Sequence, residues 1–179
     1  MSTIVTRAGK GSVLTHAELD ANFTNLNTDK ADAVKVNGPA FSAHPTTAQT
    51  IASSGTLGKV NFGTEEFDTN NNFASSRFTP TVAGYYQVNS CVRFDGGGPG
   101  TGECMLVIFK NGNEAKRGWN SSGINFANDF WSMSVSSIIY CNGSTDYLEI
   151  YAQQVSGGSR TTSPYANISY FQAAMIRSA

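Results

Sequence analysis

A run of alternating residues at 85–94 constrains this chain more than any other stretch. Tyr86, Val88, Ser90, Val92 and Phe94 share one parity; Tyr85, Gln87, Asn89, Cys91 and Arg93 share the other. A period of two, with aromatic and β-branched residues on one side, predicts a strand with one face buried and one facing water. The flanks agree with this reading. Pro80 cannot donate to a ladder and predicts a strand end. Gly84 predicts a tight turn just before the strand.

A strand of this kind needs others to pair with, and residues 40–179 supply them. The pattern predicts strands at 40–43, 58–62, 77–79, 85–94, 103–110, 113–119, 128–140, 147–154 and 168–176. Turn-forming clusters separate them: 70–72, 95–100, Asn111-Gly112, Asn142-Gly143 and Gly157-Gly158. Asn111-Gly112, between Val107-Ile108-Phe109-Lys110 and Asn113-Glu114, predicts a two-residue hairpin. Short strands at this spacing point to an all-β sandwich or barrel. In the last strand, small Ala173 and Ala174 allow close packing in the core or between subunits.

The first residues differ in kind. Residues 1–11 read as extended. Thr15 and Glu18 then form a capping box, flanked by Leu14 and Leu19 at the staple positions, and predict a helix from His16 to about Asn27. Leu19, Phe23 and Leu26 make one narrow apolar stripe on it. So short a helix is marginal alone, so the stripe calls for a partner: identical helices or a neighbouring protein. Residues 28–38 read as a connector, ending at Gly38-Pro39. The expected organisation is an attachment segment at 1–38 and a β domain at 39–179.

Composition excludes several classes. With 14% charged residues and a net charge of -1 there is no cationic surplus for phosphates, so no nucleic-acid partner is expected. No apolar run nears the roughly 20 residues of a membrane helix, and none is expected to insert. The N-terminus lacks a signal-peptide apolar core, which predicts synthesis in a cytoplasm. Cys91, Cys104 and Cys141, an odd set lying within predicted strands or at their ends, read as small buried hydrophobes.

No catalytic constellation is legible, so no enzyme activity, metal or cofactor is expected. His16 and His44 lack a neighbouring nucleophile motif. Glu65, Glu66 and Asp68 with Asn70–Asn72 could in principle serve a glycosidase or calcium, but read better as a solvated loop. The glycine run at 96–102 lacks the lysine and following helix of a phosphate loop. Recognition is expected instead in the Gly/Ser-rich loops at 95–102, 120–125 and 156–164. Trp119, beside Asn120 and Ser121, is a candidate sugar platform; with Asn125 and Tyr165 these form the expected receptor-facing set.

Two stretches resemble known families. Phe78-Thr79-Pro80-Thr81-Val82-Ala83-Gly84-Tyr85-Tyr86, with Ala40-Phe41-Ser42-Ala43, the 107–112 hairpin, Asn142–Leu148 and Tyr170–Ile176, is similar to the jelly roll of complement component 1q and the tumour necrosis factor family. It departs from that family by extra residues before Asp146 and by Ala173 where glycine is usual. Residues 7–30 resemble a segment common in bacteriophage tail-fibre and related virion proteins.

Together these resemblances imply a homotrimeric jelly-roll knob on a phage particle, its aromatic axis drawn from Tyr85, Tyr147, Tyr151 and Phe171 and its helices meeting through Leu19, Phe23 and Leu26. They imply three partners: other copies of the chain, a virion protein docked by residues 1–38, and a host surface glycan or protein. A tail fibre or spike that binds the host is the first expectation. A capsid decoration protein is the second.

Overall fold

The computed structural model describes residues 3–34, 38–95, 101–118, 121–125 and 130–179, with the backbone alone at 28–34, 101 and 121–125. The chain divides into two compact units, Met1–Asn37 and Gly38–Ala179.

In the first unit, α1 (Arg7–Lys10) is a single turn, where the sequence reads as extended. Thr6 caps it by accepting from Gly9 N, and Gly11 closes it at φ 72°. Next, α2 (His16–Val34) begins at the expected capping box. Glu18 N donates to Thr15 Oγ1 at 3.2 Å, and Thr15 N donates to Glu18 Oε2 at 2.7 Å. The helix runs on to Val34, so most of the expected connector is helical. Ala31 and Ala33 favour helix, and no Gly or Pro interrupts before Gly38-Pro39. Asn22 holds the leading segment along the helix, exchanging hydrogen bonds of 2.9 and 2.7 Å with the Val5 backbone. None of this unit's described residues is buried.

The second unit is all strand. In chain order it contains β1 (Ala40–His44), β2 (Thr50–Ile51), β3 (Gly58–Lys59), β4 (Thr64–Asp68), β5 (Phe73–Ala74), β6 (Arg77–Phe78) and β7 (Ala83–Asp95). It continues with β8 (Thr101–Lys110), β9 (Asn113–Arg117), β10 (Ser121–Asn125), β11 (Trp131–Asn142), β12 (Leu148–Val155), β13 (Arg160–Thr162) and β14 (Tyr170–Ser178). Two sheets form. The first runs β2-β13-β7-β14-β1-β4, with β11 on the other edge of β7; the second runs β10-β8-β12-β6-β5, with β3 on β12 and β9 on β8. This is a jelly-roll sandwich, the fold expected.

Several strands escape the sequence reading. β2, β5 and β13 are too short to show a period, and β4 (Thr-Glu-Glu-Phe-Asp) has no buried residue. Consequently Glu65, Glu66 and Asp68 lie on an edge strand beside β1, not in a solvated loop. Likewise 121–125, expected within a recognition loop, pairs with β8. The expected strand at 58–62 is reduced to Gly58–Lys59, with Val60 N also donating to Ile150 O at 2.9 Å.

The alternation of β7 is realised as read: Tyr86, Val88, Ser90, Val92 and Phe94 are buried. Across the sandwich they meet Leu106, Ile108, Leu148 and Ile150, all inaccessible to solvent. Phe41 of the first sheet stacks on Phe73 and Phe78 of the second, with ring centroids 4.6 and 4.5 Å apart. Gly84 departs from expectation. It lies inside β7 rather than in a turn, and a Cβ there would come within 2.5 Å of the Arg177 carbonyl oxygen on β14. Its role is to let two strands approach.

Register also sorts the connections. The C-terminal ends of β7 and β12 and the N-terminal ends of β8, β11 and β13 reach one end of the sandwich, since Trp131 and Thr162 both oppose Phe94 and Val155 opposes Glu103. The 111–112 and 142–147 turns lie at the other end. There the chain enters at Ala40 and leaves at Ala179, whose N–H donates to Ala83 O at 3.2 Å.

Candidate interaction surfaces

β7 turns its second face outward, and β11 and β14 extend that face sideways. Tyr140 opposes Tyr85, Ile138 opposes Gln87, and Arg177 opposes Tyr85 from the other edge. The result is a cluster of large apolar side chains in water: Tyr85 is 43% exposed, Ile138 53%, Tyr140 42% and Ile176 46%. The two tyrosine rings lean together with centroids 5.5 Å apart. Tyr85, Ile138 and Ile176 line a shallow cleft of about 550 Å³ with the C-terminal residues 177–179. Exposed apolar clusters of this kind are typical of contact surfaces.

Beside it lies a polar ladder. Gln87 Nε2 donates to Asn89 Oδ1 at 3.1 Å and to Ser136 Oγ at 2.8 Å, and Ser136 Oγ donates back to Asn89 Oδ1 at 2.7 Å. The three side chains satisfy one another across the β7–β11 pair, so this part of the face is flat and pre-ordered.

The expected aromatic axis is divided by the fold. Tyr85 lies on this face. Tyr147, just before β12, and Tyr151 within it lie with the second sheet: the Arg77 guanidinium sits 3.9 Å over the Tyr147 ring, and Tyr151 stacks on Phe109 at 4.0 Å. Phe171 is fully buried, edge-on to Phe41 at 4.8 Å. It opposes Ser90, a core-facing position of β7, so its parity turns it inward. Phe171 is therefore a core residue and not part of an intersubunit wall. Ile138, Tyr140 and Ile176 were missed. The alternation of Trp131 and Met133 with Ser132 and Ser134 gives β11 one polar face, and a parity count along it reaches Ile138 and Tyr140 through Ser136.

In the first unit the apolar stripe is in water: Leu19, Phe23 and Leu26 are all exposed. Lys10 pairs with Glu18 near the start of the helix. The Lys10 and Thr15 hydrogen bonds bring the Glu18 carboxyl down to about 2.

Of the expected receptor-facing residues, Trp119 and Asn120 lie outside the described residues. Ser121 and Asn125 bound β10, where their backbones oppose Cys104 and Thr101. Tyr165 is 61% exposed, at the head of a turn in which Ile168 and Ser169 donate to its carbonyl at 3.0 and 2.9 Å. At the same end of β7, Phe130 is exposed under the Arg93 guanidinium at 4.4 Å. The fold thus brings Phe130 and the 163–169 turn to one end.

Among the described residues no group of three or more His, Cys, Asp and Glu is placed to hold a metal. Glu66 accepts from Ser42 Oγ at 2.6 Å, and Asp68 accepts the Phe73 N–H at 2.7 Å. Burial raises the Cys104 thiol to about 12 and, as the largest influence, the Cys141 thiol to about 11, so neither is a ready thiolate nucleophile.

No protein-family model and no curated protein matches this chain. Solved structures do match. The Eiger TNF structure from S. frugiperda is 10% identical with a TM-score of 0.56, over 80% of this chain and 96% of that one. Murine APRIL at pH 8.0 is 11% identical with a TM-score of 0.56, over 78% of this chain and 100% of that one. At such identities the likeness is one of fold: a jelly roll of the tumour necrosis factor type.

Proposed function

We propose that this chain is a non-enzymatic bacteriophage virion protein. In this reading it is a homotrimeric tail fibre or spike whose jelly-roll knob attaches the particle to the host surface. The observation that carries the reading is the exposed apolar face of Tyr85, Ile138, Tyr140 and Ile176 on a sandwich of this type. Covering it with like faces of other copies removes apolar surface from water at about 25 cal/mol per Å². The flat polar ladder alongside needs no rearrangement to pack. Three points of contact would then multiply a weak single-site affinity.

The remaining features fit that role. Residues 7–30 resemble a virion attachment segment, and their unit displays the Leu19–Phe23–Leu26 stripe for a docking partner. The chain enters and leaves the sandwich at one end, which leaves Tyr165 and Phe130 at the other for recognition.

Sedimentation and competition test this. The purified chain is expected to sediment as a trimer, and Ile138→Asp with Tyr140→Asp as a folded monomer. The trimer is expected to compete with particles for host cells. A wild-type monomer would remove the oligomer, and failure to bind or compete would remove the adhesive role. Particle imaging that finds the protein on the head would replace the fibre with a capsid decoration protein.

A further inference from the structure

On the flank of the second sheet a cleft of about 500 Å³ opens between β3 and the β5–β6 hairpin. Its size lies in the range of small-molecule sites, about 300–1,000 Å³. Lys59, Asn71, Ser75, Arg77, Thr79 and Thr81 line it. Beneath the two cations sits Glu149, only 2% exposed. Its Oε1 accepts from Lys59 Nζ at 2.8 Å and from Arg77 Nε at 2.9 Å. Lys59 Nζ also donates to Ser75 O at 2.9 Å, which ties the hairpin turn to the sheet.

Arg77 is fixed twice, by Glu149 at its Nε and by the Tyr147 ring 3.9 Å below its plane. Both terminal amino groups of the guanidinium lack a hydrogen-bond partner among the described residues. A guanidinium held at one edge and one face, with its outer fork unused, is suited to bidentate capture of a carboxylate or phosphate. Two cations against one carboxylate leave one positive charge at the cleft. Apart from Ala74, the rest of the lining carries hydroxyl and amide groups. Buried Asn72 orders it, its Oδ1 accepting from Thr81 N at 3.0 Å and Thr81 Oγ1 at 3.2 Å.

The backbone around the cleft is also unusual. Asn71, Ser75 and Ser76 hold φ of 54°, 52° and 59°, a left-handed region that asparagine tolerates but serine rarely adopts. One surplus charge and no basic run argue against a polyanion such as nucleic acid.

From this geometry we infer that the Lys59–Arg77 cleft binds an acidic saccharide. Arg77 grips the sugar's carboxylate or phosphate, and Asn71, Ser75, Thr79 and Thr81 bond to its hydroxyls. The inference rests on the reading of the chain as a host-surface adhesin and gives that reading a ligand class.

Calorimetric titration of the full chain tests it with trigalacturonate, its neutral methyl ester, galactose 6-phosphate and inorganic phosphate. At least one of the two charged sugars is expected to bind about tenfold or more tighter than the ester and than phosphate. Which one binds identifies the source of the charge. Asn71→Asp adds a negative charge at an exposed position without touching Glu149, and Arg77→Lys keeps the charge but removes the fork. Each is expected to weaken binding about tenfold or more, Asn71→Asp with an unchanged melting temperature and Arg77→Lys with a lower one, because it also gives up the bond to Glu149 and the stack on Tyr147. Arg77→Lys also reports on the fork specifically, since a charge-only site would keep its affinity. Binding of neither charged sugar, equal binding of the ester or of phosphate, or unaltered affinity in both variants overturns the inference.

Host-cell adhesion measured in parallel separates the two readings. Wild-type adhesion undiminished by Asn71→Asp, with no charged sugar bound, removes the cleft and leaves the adhesin. No wild-type adhesion removes the adhesin itself.

Discussion

Ser75 and Ser76 hold left-handed backbone at φ 52° and 59°, almost the geometry of Asn111 and Gly112 at 53° and 77°. The second pair announces itself, because asparagine and glycine tolerate that region; the serine pair does not. Ser76 is held from outside: Phe62 N donates to its hydroxyl at 2.8 Å, and the hydroxyl donates to Phe62 O at 3.3 Å. Those bonds offset the local strain. Ser76→Ala is therefore expected to destabilise by about 1–2 kcal/mol by leaving buried backbone groups unpaired. Ser75→Gly, at an exposed position, is expected to stabilise by about 0.5–1 kcal/mol. Urea denaturation of the two variants checks both signs. Gly84 gives the opposite lesson: its identity was visible but its reason was not, since the carbonyl it makes room for belongs to Arg177 on β14.

Strands are legible in proportion to their length and one-sidedness. β7 and β11 alternate over more than ten residues, and their buried faces follow from parity alone. β4 has polar residues on both sides, and only its ladder to β1 makes it a strand. Glu149 shows what elements do jointly. Carried by β12, it joins Lys59 of β3 to Arg77 of β6, none of them close in sequence. Burial pushes its carboxyl up, but the hydrogen bonds and charges of Lys59 and Arg77 outweigh that and leave it below its ordinary value. A lowered folded value contributes stability that is complete above the ordinary carboxylate range and is lost as pH falls through the folded value. Stability is expected to decline with acid over that window. Glu149→Gln is expected to cost about 1–3 kcal/mol at pH 7 and to flatten the decline, measured by denaturation at a series of pH values. An equal slope in both proteins would show that Glu149 has no part in it.

At the scale of the molecule, the two sheets are held together by rings. Phe41 meets Phe171 in its own sheet and Phe73 and Phe78 in the other, at 4.5–4.8 Å. Phe41→Ala is expected to destabilise by about 3–5 kcal/mol, because a cavity at the junction of both sheets cannot collapse without separating them. The melting temperature reads this directly. The same packing decides which aromatics are free for other copies of the chain. Phe171 is consumed in the core, whereas Tyr85 and Tyr140 are left outside it.

Taken alone, the sequence determined the all-β class, the inward face of the longest strand, the Asn-Gly hairpin and the capped helix near the N-terminus. Each depends on residues within a few positions of one another, where parity, φ preference and capping act locally. Tertiary structure alone decided that Tyr147 and Tyr151 leave the face of Tyr85, that 64–68 is a strand, and that Lys59, Arg77 and Glu149 meet. Those outcomes depend on which strands become neighbours, and register between distant strands is a property of the closed sandwich.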